Sequence, residues 1–330
     1  MARIGELIWS RIYLWFFRPL YKLENTKPVW KFVNRDAVGH FKKYGQSPGP
    51  VENRILRDLS KNGIAFSSVD ELFGERALDR ILTYADFEHR TGRQNRRKPF
   101  ITEFFDEMPE VSDENEFVKV GLDEKVLTIV GAYIGMSPKF QEFTLTEIKA
   151  VPENADKSGS MRWHRDPHDM RLLKMFIYLT DVGEENGPFT YLRGSNYKNK
   201  YWDMLKQTPP SGIYPEPGQV EKRADANDIV PALGKKGTVV FADTAGLHWG
   251  GYVMSGTRRM LTVGFLPPKS FLVRQVHYKR AESEKMSPLK EYATEVDEGL
   301  FSRSAYVYLK GLLMGKDSVG GHITGKKGWM

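Results

Sequence analysis

The pattern of apolar and polar positions divides this chain near residue 140. Before that point apolar residues recur three and four apart. "RILRDLSKNG", with Gly63 as a stop, and "VDELFGERALDRILTYADFEHR" predict helices over 54–90. "EFVKVGLDEKVLTIVGAYIG" places Phe117, Val120, Val126, Ile129, Val130 and Tyr133 on one helical face that ends near Gly135. The basic run at 91–99 between them reads as a loop. From about 140 onward the apolar runs are short and β-rich, at 143–151, 172–182, 189–195, 237–243 and 259–267. Turn signals separate them at 154–159, 184–188, 234–237 and 255–257. Many short strands punctuated in this way predict an antiparallel sandwich or jelly roll rather than alternating βα units. The connection 196–234 is rich in Pro and charge. Irregular segments of that length are usually functional, so it reads as an inserted lid-type loop.

Composition narrows the chemistry. The 330 residues are 40% hydrophobic and 28% charged, an ordinary balance for a folded chain with a substantial core. Cysteine is absent, which excludes disulfides, a thiolate nucleophile and thiolate-held zinc or iron–sulfur centres. Any transition metal must be held by imidazole and carboxylate. The net charge of +7 and pI near 9.2 favour acidic partners. Basic residues lack the aromatic interleaving of a nucleic-acid module, so no nucleic-acid partner is expected.

The charge is uneven. Residues 1–45 hold nine Lys/Arg against three acids, and this run overlaps the apolar stretch "IGELIWSRIYLWFFRPLYKL". At helical spacing Arg3, Glu6, Ser10 and Arg18 trace a narrow polar stripe, with Ile4, Leu7, Ile8, Ile12, Trp15, Phe16 and Leu20 filling the rest. Arg11 and Arg18 interrupt it too soon for a bilayer span of about 20 apolar residues, and no small-residue cleavage site follows. Two readings stand: a helix packed on the domain, or an interfacial helix giving a cytoplasmic protein peripheral membrane contact through residues 1–22.

"MRWHRDPHDMRLLKMF" at 161–176 carries the densest chemistry. His-Arg-Asp opens the catalytic loop of protein kinases, but the Asn expected five residues after the Asp is Arg171, and no Asp-Phe-Gly exists. His164 and His168 stand four apart, yet Pro167 breaks the helix that a zinc hydrolase would need, and Arg165 replaces its Glu. The remaining reading takes His164 and Asp166 as two ligands on one extended segment, since residues i and i+2 share a face. Two His and one carboxylate form the facial triad of non-haem Fe(II) oxygenases. The third ligand is expected on a later strand. His248 follows "GTVVFADTAGL"; His40 and His89 precede the β-rich region, while His277 and His322 follow it. An oxygenase driven by 2-oxoglutarate also needs a cation for the distal carboxylate. Arg258, at the start of "RRMLTVGF", suits that task, and Arg259 points to the opposite face.

"WHRDPHD", "KMFIYLTDVGEENGPFTYLRGSN" and "GTVVFADTAGLHWGGYVMSGTRRMLTVGF" resemble the three signature blocks of the phytanoyl-CoA dioxygenase-like family of Fe(II)/2-oxoglutarate oxygenases. The resemblance covers 140–268 well and 54–135 loosely; 1–50 and 270–330 lie outside it. It implies an α+β fold with a double-stranded β-helix (jelly-roll, cupin-like) core and N-terminal helices packed outside. It implies His164, Asp166 and His248 as iron ligands, Arg258 as the 2-oxoglutarate anchor, and Thr146 and Phe176 as lining of the cosubstrate pocket. Where the prototype has Ser two residues after the distal His, this chain has Gly250. Asp166 is present where halogenating relatives carry a small residue, which implies hydroxylation with release of succinate and CO2. The expected substrate is a small, anionic or lipid-linked molecule. The rival is a non-catalytic jelly-roll module that binds a ligand or a membrane.

Three regions are expected: a basic, aromatic, amphipathic extension (1–50), the dioxygenase domain (51–275, β-helix core about 140–268, inserted loop 196–234), and a helical C-terminal extension with a mobile basic tail (276–330). Blander roles compete at individual positions. His168 reads as a solvated loop residue or a group near the metal, Asp169 as a turn or capping residue, and Lys174 as snorkelling to solvent or facing the site. Trp249 is read as core packing, and Arg259 and 93–98 as surface charge.

Overall fold

Period-two alternation along the strands separates the two interiors of this fold. The computed structural model describes residues 8, 11–98, 100–104, 108–151, 159–205, 214–270, 276–280, 285–296 and 308–309. In chain order β1 is Ile64–Ser68, β2 Gln94–Lys98, β3 Ile101–Phe104, β4 Glu110–Val111, β5 Lys139–Lys149 and β6 Leu173–Tyr178. Then come β7 Phe189–Leu192, β8 Ile229–Pro231, β9 Thr238–Ala242, β10 His248–Gly250, β11 Thr257–Leu266 and β12 Lys279–Arg280. Seven strands form one antiparallel sheet in the order β1-β9-β6-β11-β5-β3-β2, and β10-β7-β8 form a second. β4 and β12 make a short parallel pair. This is the expected double-stranded β-helix, with helices on one outer face.

On β6, Met175 and Ile177 belong to the core shared with the helices, whereas Phe176 and Tyr178 turn into the space between the sheets. β9 repeats the rule, with Val239 and Phe241 outward and Val240 and Ala242 inward. Leu261 and Val263 on β11 and Phe143 and Leu145 on β5 also join the helix side. Ile55 and Leu59 of helix Pro50–Asn62, Ile81 of Ala77–Thr91, and Val126, Ile129 and Val130 of Glu124–Ile134 cover that face. Phe189 and Tyr191 of the small sheet close the inner space.

Several local expectations are corrected. The helical region 54–90 encloses a strand: Gly63, at φ 77°, ends one helix and β1 then pairs with β9. The helix expected over 116–135 is two, because the Asp123 side chain accepts from the Lys125 amide at 2.8 Å and starts a new one. The basic loop 91–99 is largely the edge strand β2. A backbone ladder needs no apolar side chains, and charge at an edge discourages further pairing. The long connection contributes β8, paired with β7. The C-terminal helix Pro288–Thr294 is present, held where Lys139 Nζ donates to the Tyr292 carbonyl at 2.6 Å. The glycine-rich tail from 318 lies outside the described residues.

At the N-terminus residues 11–24 are helical, with a π turn over Tyr13–Phe17 that runs into Arg18–Glu24. The wider turn rotates the following positions relative to a regular helix. Phe17 and Tyr21 are therefore the buried positions, and Trp15 and Phe16 are exposed. No helix among the described residues is long and apolar enough to cross a membrane.

Candidate metal centre

Two backbone hydrogen bonds place the histidines. The His164 amide donates to the His248 carbonyl at 2.9 Å and the His248 amide returns the bond at 3.0 Å, an isolated antiparallel bridge. The imidazole rings then lie 4.2 Å apart between centroids. The Asp166 amide donates to the Thr244 carbonyl at 2.8 Å, a further link between the two segments outside the register of the bridge. One ligand atom each from His164, Asp166 and His248 lies within 4.8 Å of the others, and all three residues are buried. Both imidazoles are fixed in one tautomer. His164 Nδ1 lies 2.8 Å from the Arg162 carbonyl and His248 Nδ1 lies 3.0 Å from the Gly246 carbonyl. A carbonyl only accepts, so each Nδ1 carries the proton and each Nε2 presents its lone pair. Burial pushes the His248 pKa down to about 3, which keeps the ring neutral. Neutral imidazoles with a carboxylate are the donor set that suits Fe(II), and three ligands leave positions open for others.

Lys174 proves to be an interior residue. It shares strand parity with Phe176 and Tyr178, and its Nζ lies 3.0 Å from Asp166 Oδ2 and 3.2 Å from Glu142 Oε1. The ladder explains the reach: Lys174 pairs with Gly264 of β11, and Gly264 pairs with Glu142 of β5. A Cβ on Gly264 would stand 2.7 Å from Glu142 Cγ, so a side chain there would displace the bridge. Burial opposes both charges, yet Asp166 and Glu142 raise the ammonium pKa, and Lys174 followed by the histidines holds Asp166 well below the usual range. With Oδ2 on Lys174, Oδ1 faces His164 Nε2 at 3.8 Å. His168 is half-buried, its pKa lowered by burial, and its Nδ1 has no hydrogen-bond partner among the described residues.

Arg258 faces the same interior. It is 3% exposed, and among the described residues its guanidinium makes a single 3.5 Å contact, from Nη1 to the Asn186 carbonyl, while Nε has no partner. Burial draws its pKa down to about 10, so it remains charged at neutral pH. A buried guanidinium so poorly satisfied fits a carboxylate ligand. The positions expected to line the cosubstrate pocket sit on the neighbouring strands β5 and β6. Thr146 and Tyr178 flank Met260, two residues along β11 from Arg258. Phe176 packs on Phe189 at 4.8 Å between centroids, and Phe189 lies 5.5 Å from the His248 ring. At Gly250 a Cβ would meet the Ser160 carbonyl at an ordinary 3.6 Å, so space does not explain the missing hydroxyl.

Residues 66–261 match the phytanoyl-CoA dioxygenase family. The chain belongs to that family. Its cofactor and cosubstrate, Fe(II) and 2-oxoglutarate, are those expected from the donor set. None of the curated proteins matches the chain. Among solved structures it is similar to the epimerase SnoN in complex with Fe3+, alpha ketoglutarate and nogalamycin RO: 13% identity over 67% of this chain and 85% of that one, TM-score 0.50. EctD from S. alaskensis with bound Fe gives 14% identity over 78% and 90%, TM-score 0.49. HygX from Streptomyces hygroscopicus with nickel, 2-oxoglutarate and hygromycin B gives 14% over 64% and 86%, TM-score 0.44. The likeness to SnoN is one of fold.

In this family member several groups around the triad escape a reading of sequence. Arg165, on the opposite face of the metal segment, is 2% exposed and donates to five carbonyls: Ser195, Ala245, Tyr201, Trp202 and Met204. Asp169 caps a turn, accepting from the Arg171 amide at 3.3 Å, but a buried one. It accepts from Trp30 Nε1 at 2.9 Å and Ser270 Oγ at 2.7 Å, and burial raises its pKa to about 6. Asp243 accepts from Tyr133 and the Ala245 amide, shaping the turn before His248. Arg259 is no free surface charge either: it bonds Asp86 Oδ1 at 2.7 Å and ties a helix to the sheet. Trp249 is only half-buried, 6.2 Å from Trp163. The long connection lies over this edge, where Trp163 Nε1 donates to Glu221 at 2.7 Å, Arg162 donates to the Pro215 carbonyl at 3.3 Å, and the Tyr214 ring lies 6.0 Å from His164.

Replacing Arg165 with Met leaves those five carbonyls without their donor. Urea unfolding of Arg165→Met is expected to show a loss of about 3 kcal/mol or more. Arg165→Lys recovers only part, because a single ammonium cannot span three chain segments. A loss below about 1 kcal/mol contradicts this account.

Proposed function

We propose that this protein is an Fe(II)- and 2-oxoglutarate-dependent hydroxylase in which His164, Asp166 and His248 hold the metal and Arg258 holds the distal carboxylate of 2-oxoglutarate. The reaction inserts oxygen into a C–H bond of a small or lipid-linked molecule and releases succinate and CO2. Bound together, Fe(II), 2-oxoglutarate and dioxygen supply the oxidising power for that step. The observation that carries the reading is the buried donor set: two imidazoles locked with Nε2 inward, and a carboxylate with one oxygen committed to Lys174. Asp166 also favours hydroxylation over halogenation, since a carboxylate occupies the position a halide would need.

The chain's own residues divide the work. Lys174 is a positioning residue: it fixes Asp166 Oδ2, so that Oδ1 is the oxygen offered to the metal. Thr146 and Phe176 line the path between the metal and Arg258 and keep it narrow and largely apolar. Residues 214–221 of the inserted loop, with Trp163 and Trp249, wall the side from which the substrate approaches and help exclude water. The catalytic unit in this reading spans 51–275, flanked by extensions at 1–50 and 276–330. SnoN, of the same fold, is an epimerase, so it is Asp166 and not the fold that points to hydroxylation.

Anaerobic addition of Fe(II) and then 2-oxoglutarate should give a weak visible charge-transfer band that is lost in His164→Ala. In air the native protein should release succinate. Absence of both sinks the reading. In Lys174→Met the Fe(II) concentration needed for half of the band should rise about 10- to 100-fold, while thermal unfolding stays cooperative. Arg258→Met should leave Fe(II) binding intact and raise the 2-oxoglutarate requirement about 30-fold or more. Equal 2-oxoglutarate affinity in that variant would remove Arg258 from the site.

A further inference from the structure

The N-terminal helical rod presents two faces of opposite kind. Inward, Phe17 is fully buried and Tyr21 is 4% exposed, and the Tyr21 hydroxyl lies 3.4 Å from the Pro167 carbonyl. Outward, Trp15 is 84% exposed, Phe16 51% and Leu23 55%, with Arg11, Pro19 and Lys22 exposed among them. Arg11, Trp15, Pro19 and Lys22 share the exposed side of the rod with Phe16 and Leu23. The next helix, Lys27–Val33, continues the arrangement. Trp30 turns inward to Asp169, whereas Phe32 is 66% exposed beside the exposed Lys27 and Lys31, with the Arg35 guanidinium 4.8 Å above its ring. Four large apolar side chains thus stand in water among five exposed cations. The acids among the described residues 11–36 are Glu24 and Asp36.

We propose that this face, Trp15, Phe16, Leu23 and Phe32 with Arg11, Lys22, Lys27, Lys31 and Arg35, docks on an anionic phospholipid surface. Aromatic rings sit well at the headgroup level, and each nearby Lys or Arg adds attraction to acidic lipids. Charge argues against a second copy as the occupant, since a two-fold contact through this face would set five cations against five. The inner side of the same rod touches 167–169, immediately after Asp166. Docking therefore holds the metal segment about one helix diameter, roughly 10 Å, from the lipid surface. A lipid-linked substrate then reaches the site without leaving the bilayer, a consequence that rests on the proposed activity. The docking itself does not.

The test uses the full-length, metal-free chain, so it is independent of the metal reading. The protein should sediment with phosphatidylcholine vesicles containing phosphatidylglycerol and not with phosphatidylcholine alone. Trp15→Ser combined with Phe16→Ser, and separately Lys27→Glu combined with Lys31→Glu, should each weaken the partition about ten-fold. The thermal midpoint should be unchanged, because these side chains are exposed. Should the aromatic pair prove needed for folding, the charge reversal decides. Retention of full binding by the charge reversal, or no binding to the anionic vesicles, overturns the proposal. So does a native dimer, measured by light scattering, that the aromatic variant converts to monomer.

Discussion

Everything at this site depends on the backbone bridge between His164 and His248. Two hydrogen bonds fix the separation of two residues distant in the chain, and each imidazole then turns its Nδ1 to a carbonyl two residues earlier, Arg162 or Gly246. Ligand geometry therefore comes from main-chain atoms, which almost any residue type could supply. The identity of the ligands comes from sequence, but their convergence comes from the bridge. Its rigidity is imposed from behind by Arg165, which collects carbonyls from 195, 201–204 and 245, the segments flanking both halves of the bridge. A cation on the outer face of the metal segment thus does structural work for the two ligands on the inner face.

Strand alternation distributes the remaining roles. On β6 the parity that sends Met175 and Ile177 to the helices sends Lys174 and Phe176 to the interior; on β11 it sends Arg259 to Asp86 and Arg258 inward. Gly264 completes the row, because only an absent side chain lets Lys174 cross β11 to Glu142. One buried ammonium lies between two carboxylates, so the cluster carries less net charge than Asp166 and Glu142 would alone. That balance is what allows a carboxylate ligand to stay ionised in a buried space.

The fold class and the His164–Asp166 pair were legible because both rest on local signals. Short β-rich runs with turn residues between them give the jelly roll, and i, i+2 spacing gives His164 and Asp166. What was illegible has a common cause. The anchoring of Arg165, the buried partners of Asp169 and the choice between solvent and site at Lys174 all depend on groups contributed from distant segments, Ser195, Trp30 and Glu142. Hydrophobicity patterns rank side chains singly and carry no information about which charges will be paired. The strand at 94–98 was missed for the converse reason: its pairing with β3 uses amides, while its charged side chains signal loop. At the N-terminus the π turn over Tyr13–Phe17 departs from 3.6-residue spacing, so periodicity alone does not show that Phe17 and Tyr21 are the residues turned inward.

Three arginines sharpen the functional reading by contrast. Arg165 is buried with five carbonyls, and Arg259 is held by Asp86 with a further contact to the Ala85 carbonyl. Arg258 is as buried as Arg165, yet its guanidinium is offered one distant carbonyl. Desolvating a cation is costly by several kcal/mol unless partners compensate, and the first two arginines have theirs in the fold. Arg258 does not, and it faces the same interior as the triad. A fold that accepts that cost at this position alone among the three supports the proposal that Arg258 receives a carboxylate arriving with a ligand, and it is this residue, more than the surrounding apolar ones, on which the choice between an enzyme using 2-oxoglutarate and a jelly roll that merely binds turns.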